Sequence, residues 1–294
     1  MNNGRSVLYK EILVLVVPDM NNPFFGEITK GVNQIARHHA CTVFVCDTDE
    51  KVKNETRVLE TILRKKVRGV IIAPVSERAS KNAGLLKAIQ EAGTPVVLVD
   101  RDVRDAEFDG VFIDNYKGSF DGVEALIKAG HRNIGIIAGP VTSKPGRDRL
   151  RGYLEALRLY GIQVQEALVL YGDFKWESGY QLSRMMMEKK TRPSAIFVSN
   201  NLMGIGCIKA LSEMELSVPK DVSLLVFDDT VALKAYSQNI SVINRSATQM
   251  GIEAAKILFE KIRRSEERKE QIPKRVILLP KLELRGSEVA ASLQ

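Results

Sequence analysis

The sequence predicts an α/β protein made of two doubly wound, mostly parallel sheets, and three observations carry that prediction. Short, nearly uninterrupted apolar runs rich in β-branched residues alternate with helical patterns. Runs of this kind suit parallel strands covered by helices on both faces, whereas half-exposed strands alternate apolar with polar residues. The alternation then starts again within the 294 residues, giving more strands than one open sheet holds comfortably.

In the first series the strand ILVLVV leads into a helix from about Phe25 to His39. TVFVCD, a helix through ETRVLETILRKK, GVIIAP, the helix KNAGLLKAIQEAG and the strand PVVLVD follow. The second series starts at GVFIDN and the helix YKGSFDGVEALIKAG. It continues through NIGIIAG, RLRGYLEALRLYG, ALVLYGD, SGYQLSRMMMEKK, AIFVSNN, GIGCIKALSEM and SLLVFDD. Consecutive parallel strands are joined by right-handed crossovers, so each series forms an open sheet wound on both faces. The tail adds a strand and a helix in SVINRSATQMGIEAAKILFEKIRRS and a hairpin-like stretch in KRVILLPKLELRGS. Too short for a third domain, it is expected to return across both subdomains and tie them as a multi-strand hinge. The expected division is 1–10 as an N-terminal tail, 11–113 plus 244–272 as the N-terminal subdomain, and 114–243 plus 273–294 as the C-terminal subdomain.

Composition excludes several functions. No apolar run approaches the roughly 18 residues of a membrane-spanning helix, and MNNGRSVLYK lacks the apolar stretch of a secretory signal, so a cytoplasmic protein with no membrane partner is expected. Cys41, Cys46 and Cys207 lie in or beside apolar segments and are too few for a disulfide framework. The stretch HHACTVFVC offers His38, His39, Cys41 and Cys46, but its spacing fits no common zinc pattern, so no metal is expected. The net charge of +7 is spread along the chain, and clusters such as RKKVR and KIRRSEERKEQ read as solvated helix ends. No G-x-G-x-x-G follows the first strand and there is no Walker loop or catalytic triad, so neither an enzyme nor a cofactor is expected. His131, in GHRN, reads as a turn or cap residue.

Ligands of open α/β sheets sit outside the carboxyl ends of the strands. The segments that follow the strands are DMNNPFF, DTDE, PVSER, DRDV, DN, GPVTSKPGRDR, GDFKWESG, SNNLM, FDDTV and NRS. In this order, and together with VVPDMNNPFF, RGVIIAP, PVVLVDRD, GHRNIGIIAGP, RLRGY and INRSATQMG, they resemble the effector-binding core of LacI/GalR-type (lactose-repressor-type) transcription regulators. By fold they are similar to the periplasmic sugar-binding proteins. The resemblance runs from about Glu11 to Arg285. It implies a periplasmic-binding-protein type I fold with a monosaccharide or sugar derivative bound in the cleft between the subdomains. It also implies a homodimer and operator DNA bound only through a helix-turn-helix headpiece missing from this sequence, where GRSVL resembles the end of the hinge that follows such a headpiece. The alternative is the sugar receptor of a transport system.

A sugar offers apolar C–H faces and a rim of hydroxyls, which call for flat apolar walls and planar polar groups. By the resemblance, Phe24 and Phe25 line one side of the ligand and Phe174 the other, while Asn22 and Asn200 bond its hydroxyls. Asp100, Arg101, Arg149 and Asp228 follow strands and grip vicinal diols by charge-assisted bonds. Arg245 stands where sugar binders often carry an uncharged polar residue, Asn201 where Asp is common, and Val226 where Gly is usual. Asp19 and Arg147 are secondary candidates. With Arg101, Arg149 and Arg245 against Asp100 and Asp228 the set leans positive by one charge, which leaves room for a sugar acid or sugar phosphate. The segment VALKAYSQNISVI is a candidate dimer face.

Overall fold

Apolar runs this short and this continuous are satisfied only where helices cover both faces of the sheet they form. The structure, a computed structural model, describes residues 11–104, 106–236, 239–266 and 273–289. The N-terminal tail with GRSVL, and the end of KIRRSEERKEQ beyond residue 266, lie outside these described residues. The chain begins with β1 (Ile12–Val17), α1 (Pro23–His38), β2 (Thr42–Asp47), α2 (Val52–Lys65), β3 (Gly69–Ile72), α3 (Ser80–Glu91), β4 (Val96–Val99) and β5 (Asp109–Ile113). It continues with α4 (Asn115–Lys128), β6 (Ile134–Ala138), α5 (Lys144–Leu159), β7 (Val169–Tyr171), α6 (Trp176–Met187), β8 (Ala195–Val198), α7 (Asn201–Glu213), β9 (Ser223–Phe227), α8 (Val231–Tyr236) and β10 (Ser241–Asn244). The last elements are α9 (Ala247–Glu266), β11 (Arg275–Leu278) and β12 (Lys281–Glu283). Two compact units result, Met1–Ile113 with Thr142–Lys144 and Ser246–Leu278, and Asp114–Val141 with Pro145–Arg245 and Leu279–Gln294.

The first unit holds a parallel sheet of order β11-β5-β4-β3-β1-β2. β1 lies between β3 and β2, with Leu13 opposite both Gly69 and Val43, and its residues from Leu13 to Val17 are buried. At the edge, β2 alternates instead, leaving Phe44 53% exposed. Helix α1 starts where Pro23 presets the helical φ and Asn22 accepts the Phe24 N–H at 3.0 Å through Oδ1. Its stripe of Ile28, Val32 and Ala36 packs with Ala254 and Leu258 of α9 on one face of the sheet. Leu59 and Ile62 of α2 and Leu86 and Ile89 of α3 cover the other. α1 and α9 approach so closely that a methyl group on Gly31 would overlap the Thr248 carbonyl, and one on Gly251 the Ile28 carbonyl.

The second unit repeats the topology strand for strand in the order β12-β10-β9-β8-β6-β7, except that β12 runs antiparallel to β10. Met186, Cys207 and Leu211 of α6 and α7 cover one face, and Val123, Leu126, Tyr153 and Leu157 of α4 and α5 the other. Tyr153, in the RLRGY segment, is fully buried and donates to the Ile134 carbonyl at 2.8 Å, which fixes α5 to β6.

Three details depart from the sequence reading. The second series begins one strand later than GVFIDN suggests, because β5 pairs with β4 in the first sheet, and among the described residues no helix stands between them. The tail is not a hairpin: β11 joins β5 in the first sheet and β12 joins β10 in the second, whereas residues 273–294 were expected wholly in the C-terminal subdomain. In VALKAYSQNISVI, where Ser237 and Gln238 lie outside the described residues, Leu233, Ile240, Val242 and Ile243 are core residues, and Val231 is 83% exposed.

His131 closes the end of α4 through its N–H to the Leu126 carbonyl, and its buried ring reaches further. Nε2 donates to the Glu288 carbonyl at 3.0 Å and Nδ1 lies 2.9 Å from the Ser194 hydroxyl.

Two outcomes follow from this packing. Gly31→Ala or Gly251→Ala forces α1 and α9 apart, and each is expected to cost about 1–3 kcal/mol in urea unfolding. Burial holds the His131 imidazolium below its usual pKa, against the opposing pull of the Glu288 carbonyl. The unfolded chain takes up this proton near pH 6.5. In the window just below that pH the unfolded state binds more protons, so stability falls as the pH drops. His131→Gln is expected to flatten the stability profile between about pH 7 and 5.

Candidate functional site

In the first unit the loop after β1 and the first turn of α1 carry four candidates. Asp19 is buried and accepts the Asn21 N–H through Oδ1 at 2.9 Å, and Asn22 caps α1. Phe24 and Phe25, at 5% and 3% exposure, meet edge to face with centroids 5.2 Å apart, and both belong to the core beneath α1. After β4, Asp100 takes a left-handed φ of 64° while its N–H bonds the Val111 carbonyl at 2.9 Å. Only a residue held by its surroundings keeps such a backbone without being glycine.

Arg101 is buried, and its charge is met by a residue that sequence reasoning missed. Nη1 and Nη2 donate to the two carboxylate oxygens of Glu50 at 2.8 and 2.6 Å, while Nε lies 3.9 Å from Asp100. Glu50 follows β2, where Asp49 and Glu50 are both left-handed (φ 50° and 53°) and the Glu50 N–H bonds the Pro18 carbonyl at 2.6 Å. Behind this pair lies the fully buried Glu55 of α2, accepting from the Val75 N–H and from Asn82 Nδ2, each at 2.6 Å. Burial pushes its pKa up, against the Val75 and Asn82 hydrogen bonds.

The second unit gathers more of its candidates into one group. Arg149 of α5 is fully buried: Nε donates to Asn115 Oδ1 at 2.8 Å and Nη1 to the Ser199 carbonyl at 2.5 Å. Its guanidinium lies 3.7 Å from the Phe227 ring centroid and 4.0 Å from Asp228. Asp228 repeats the backbone of Asp100, with φ 73° and its N–H on the Ile243 carbonyl at 2.9 Å. Arg245, after β10, grips Asp228 in a two-pronged bond, Nε to Oδ1 at 2.5 Å and Nη2 to Oδ2 at 2.9 Å. Arg147 bonds its neighbour Asp148 at 3.2 Å.

Phe174 follows β7 with φ 70°, and its buried ring occupies space that exists only because residue 139 is glycine. Asn200 donates to the Phe174 carbonyl at 2.8 Å and caps α7 by accepting the Met203 N–H at 3.0 Å, which explains a cap and a loop anchor in one side chain. The first unit thus brings Asp100 and Arg101 together around Glu50, and the second brings Arg149, Asp228 and Arg245 together around Phe227, with Phe174 and Asn200 joined beside them. Asn115, Gly139 and Phe227 carry these contacts without having been singled out in the sequence. Asn115 and Phe227 lie in the strand-end words DN and FDD and were visible there only as positions.

The Asp228–Arg245 pair is nearly out of water, with both side chains 4% exposed. Asp228→Ala therefore removes the two-pronged partner of a buried guanidinium and is expected to lower unfolding stability by about 3–5 kcal/mol. Asp121→Ala, which breaks an exposed pair with Lys117, is expected to change it by about 1 kcal/mol or less in the same urea titration.

Comparison with known proteins covers the whole of this framework. The family described as "Periplasmic binding proteins and sugar binding domain of LacI family" matches residues 10–281. The HTH-type transcriptional repressor PurR of Pasteurella multocida is 30% identical over 255 residues, spanning 86% of this chain and 75% of the repressor. The HTH-type transcriptional regulator DegA of Bacillus subtilis is 27% identical over 276 residues, spanning 94% and 80%. Among solved structures, a transcriptional regulator CelR–cellobiose complex superposes with a TM-score of 0.83 at 28% identity, covering 94% of this chain and 84% of that one. With a match over nearly its full length and repressors among its relatives, the chain belongs to the periplasmic-binding-protein and LacI-type sugar-binding domain family.

Proposed function

We propose that this chain is the effector-sensing part of a transcriptional regulator and that the strand-end groups of both units hold a monosaccharide or sugar derivative. In this reading Asn22, Phe24, Phe25, Asp100 and Arg101 of the first unit and Arg149, Phe174, Asn200, Asp228 and Arg245 of the second contribute to binding, with Asp19 and Arg147 in lesser roles. The observation that carries it is the group of Arg149 on α5 and Asp228 and Arg245 at strand ends, charged side chains fixed around Phe227 in a chain whose relatives are repressors. A charge held rigidly at a strand end is suited to hydroxyl recognition, because the cost of orienting it is met during folding. The cellobiose bound by one structural relative supports a sugar as the effector class.

Sensing requires only that the effector favour one conformation over another, and a homodimer with a helix-turn-helix headpiece would pass that preference to operator DNA. A transport receptor shares the fold, but the relatives compared are regulators, which favours regulation. Binding rather than catalysis is the activity this site supports.

A thermal-shift panel of pentoses, hexoses, cellobiose, sugar acids and sugar phosphates tests the reading. A true effector at 100 times its Kd is expected to add about 2.7 kcal/mol to the folded state. Asp100→Asn in one unit and Arg149→Lys in the other are each expected to weaken that binding by about tenfold or more in calorimetry. If no member of the panel shifts the transition, the sugar reading is wrong.

A further inference from the structure

We infer that Glu50 is a specificity-determining residue: by filling the two-pronged edge of Arg101 it cancels that arginine's charge and restricts the site to uncharged ligands. The inference rests on the effector-binding reading and deepens it by naming the charge class of the ligand and the residue that sets it.

Arginine stays protonated at any ordinary pH, so a buried guanidinium recognises whichever carboxylate or phosphate reaches its planar edge. At Arg101 that edge is already taken by the protein. Both Glu50 oxygens lie within 2.8 Å of Nη1 and Nη2, and the remaining nitrogen, Nε, faces Asp100 at 3.9 Å. Arg101 is 4% exposed and the Glu50 side chain 16%, so solvent screens the pair little. The loop is built to hold Glu50 there. Thr48 bonds the Val17 carbonyl, Glu50 the Pro18 carbonyl and Lys51 the Thr48 carbonyl, and the chain accepts two successive left-handed residues to close it.

The balance of charge changes accordingly. In the first unit Arg101 now stands against both Asp100 and Glu50. In the second, Arg245 is matched by Asp228 across a comparable fork, and Arg149 donates to Asn115 and the Ser199 carbonyl while lying 4.0 Å from the same Asp228. An acidic or phosphorylated ligand approaching Arg101 therefore meets two carboxylates beside it, a repulsion that a neutral polyol does not feel.

The test is calorimetry of the full chain with matched pairs of probes, ribose against ribose 5-phosphate and cellobiose against cellobionic acid. The wild-type protein is expected to bind the neutral member of a pair at least tenfold more tightly than its anionic counterpart. Glu50→Gln, which keeps shape but frees one charge of Arg101, is expected to move that ratio at least tenfold toward the anion. The double variant Glu50→Gln with Arg101→Met removes both charges and is expected to restore the neutral preference, which also covers a poorly folding single variant. A purely structural Glu50 would weaken both members of a pair alike and leave the ratio unmoved, overturning the inference. Wild-type preference for the anionic member also overturns it while leaving the sugar reading intact. Failure of every probe to bind any variant removes the sugar reading, and the inference with it.

Discussion

A guanidinium cannot give up its proton, so every arginine withdrawn from water at a strand end has to be answered by a fixed partner. That requirement governs the polar architecture of both units. The sheets are apolar on both faces, which leaves the strand ends as the places where charge survives, and there the arginines are bound in place: Arg101 by Glu50, Arg245 by Asp228, Arg149 by Asn115 and the Ser199 carbonyl. Each partner comes from a different loop or strand from its arginine. The pairs therefore hold loops to one another as well as balancing charge.

The two units reach this arrangement through one repeated device. Asp100 and Asp228 end the fourth strand of their respective series, adopt the left-handed backbone region and direct their N–H groups to the carbonyl of the neighbouring strand. A left-handed aspartate turns the chain sharply at the strand tip while placing a carboxylate there, something glycine could do for the backbone but not for the chemistry. Phe174, after β7, is another left-handed non-glycine residue, its ring accommodated by the missing side chain at Gly139. Strain at these positions is offset by the packing around them, which is where functional strain is generally found.

Much of this was legible in the sequence, and the reasons differ by level. The strands and helices announce themselves because buried parallel strands are continuous apolar runs and because Asn22, Asp114 and Asn200 stand where a helix needs a cap. The sheet assignment of RVIL was not legible, because a short run of three apolar residues fits either edge equally well; only pairing with β5 decides it. At the site, the adjacency of Asp100 and Arg101 suggests a pair, yet the close partner of Arg101 is Glu50, about fifty positions earlier and disguised in DTDE as an ordinary turn. Asn22 and Asn200 were read as ligand contacts, and each also has a backbone duty that accounts for its presence.

The repeated topology also explains why the ends of the strands, rather than the fold, must carry specificity. Two units with the same strand order supply nearly the same scaffold twice, but a sugar has no such internal symmetry, so recognition has to come from the positions where the repeat is broken. It is broken in the partner of each arginine. The carboxylate that grips Arg101 comes from the loop after the second strand of the first unit, and the one that grips Arg245 from the end of the fourth strand of the second, its counterpart in the first unit lying 3.9 Å from Arg101. The same folded device, a left-handed aspartate at the tip of the fourth strand, thus stands in two different pairings on scaffolds of one topology.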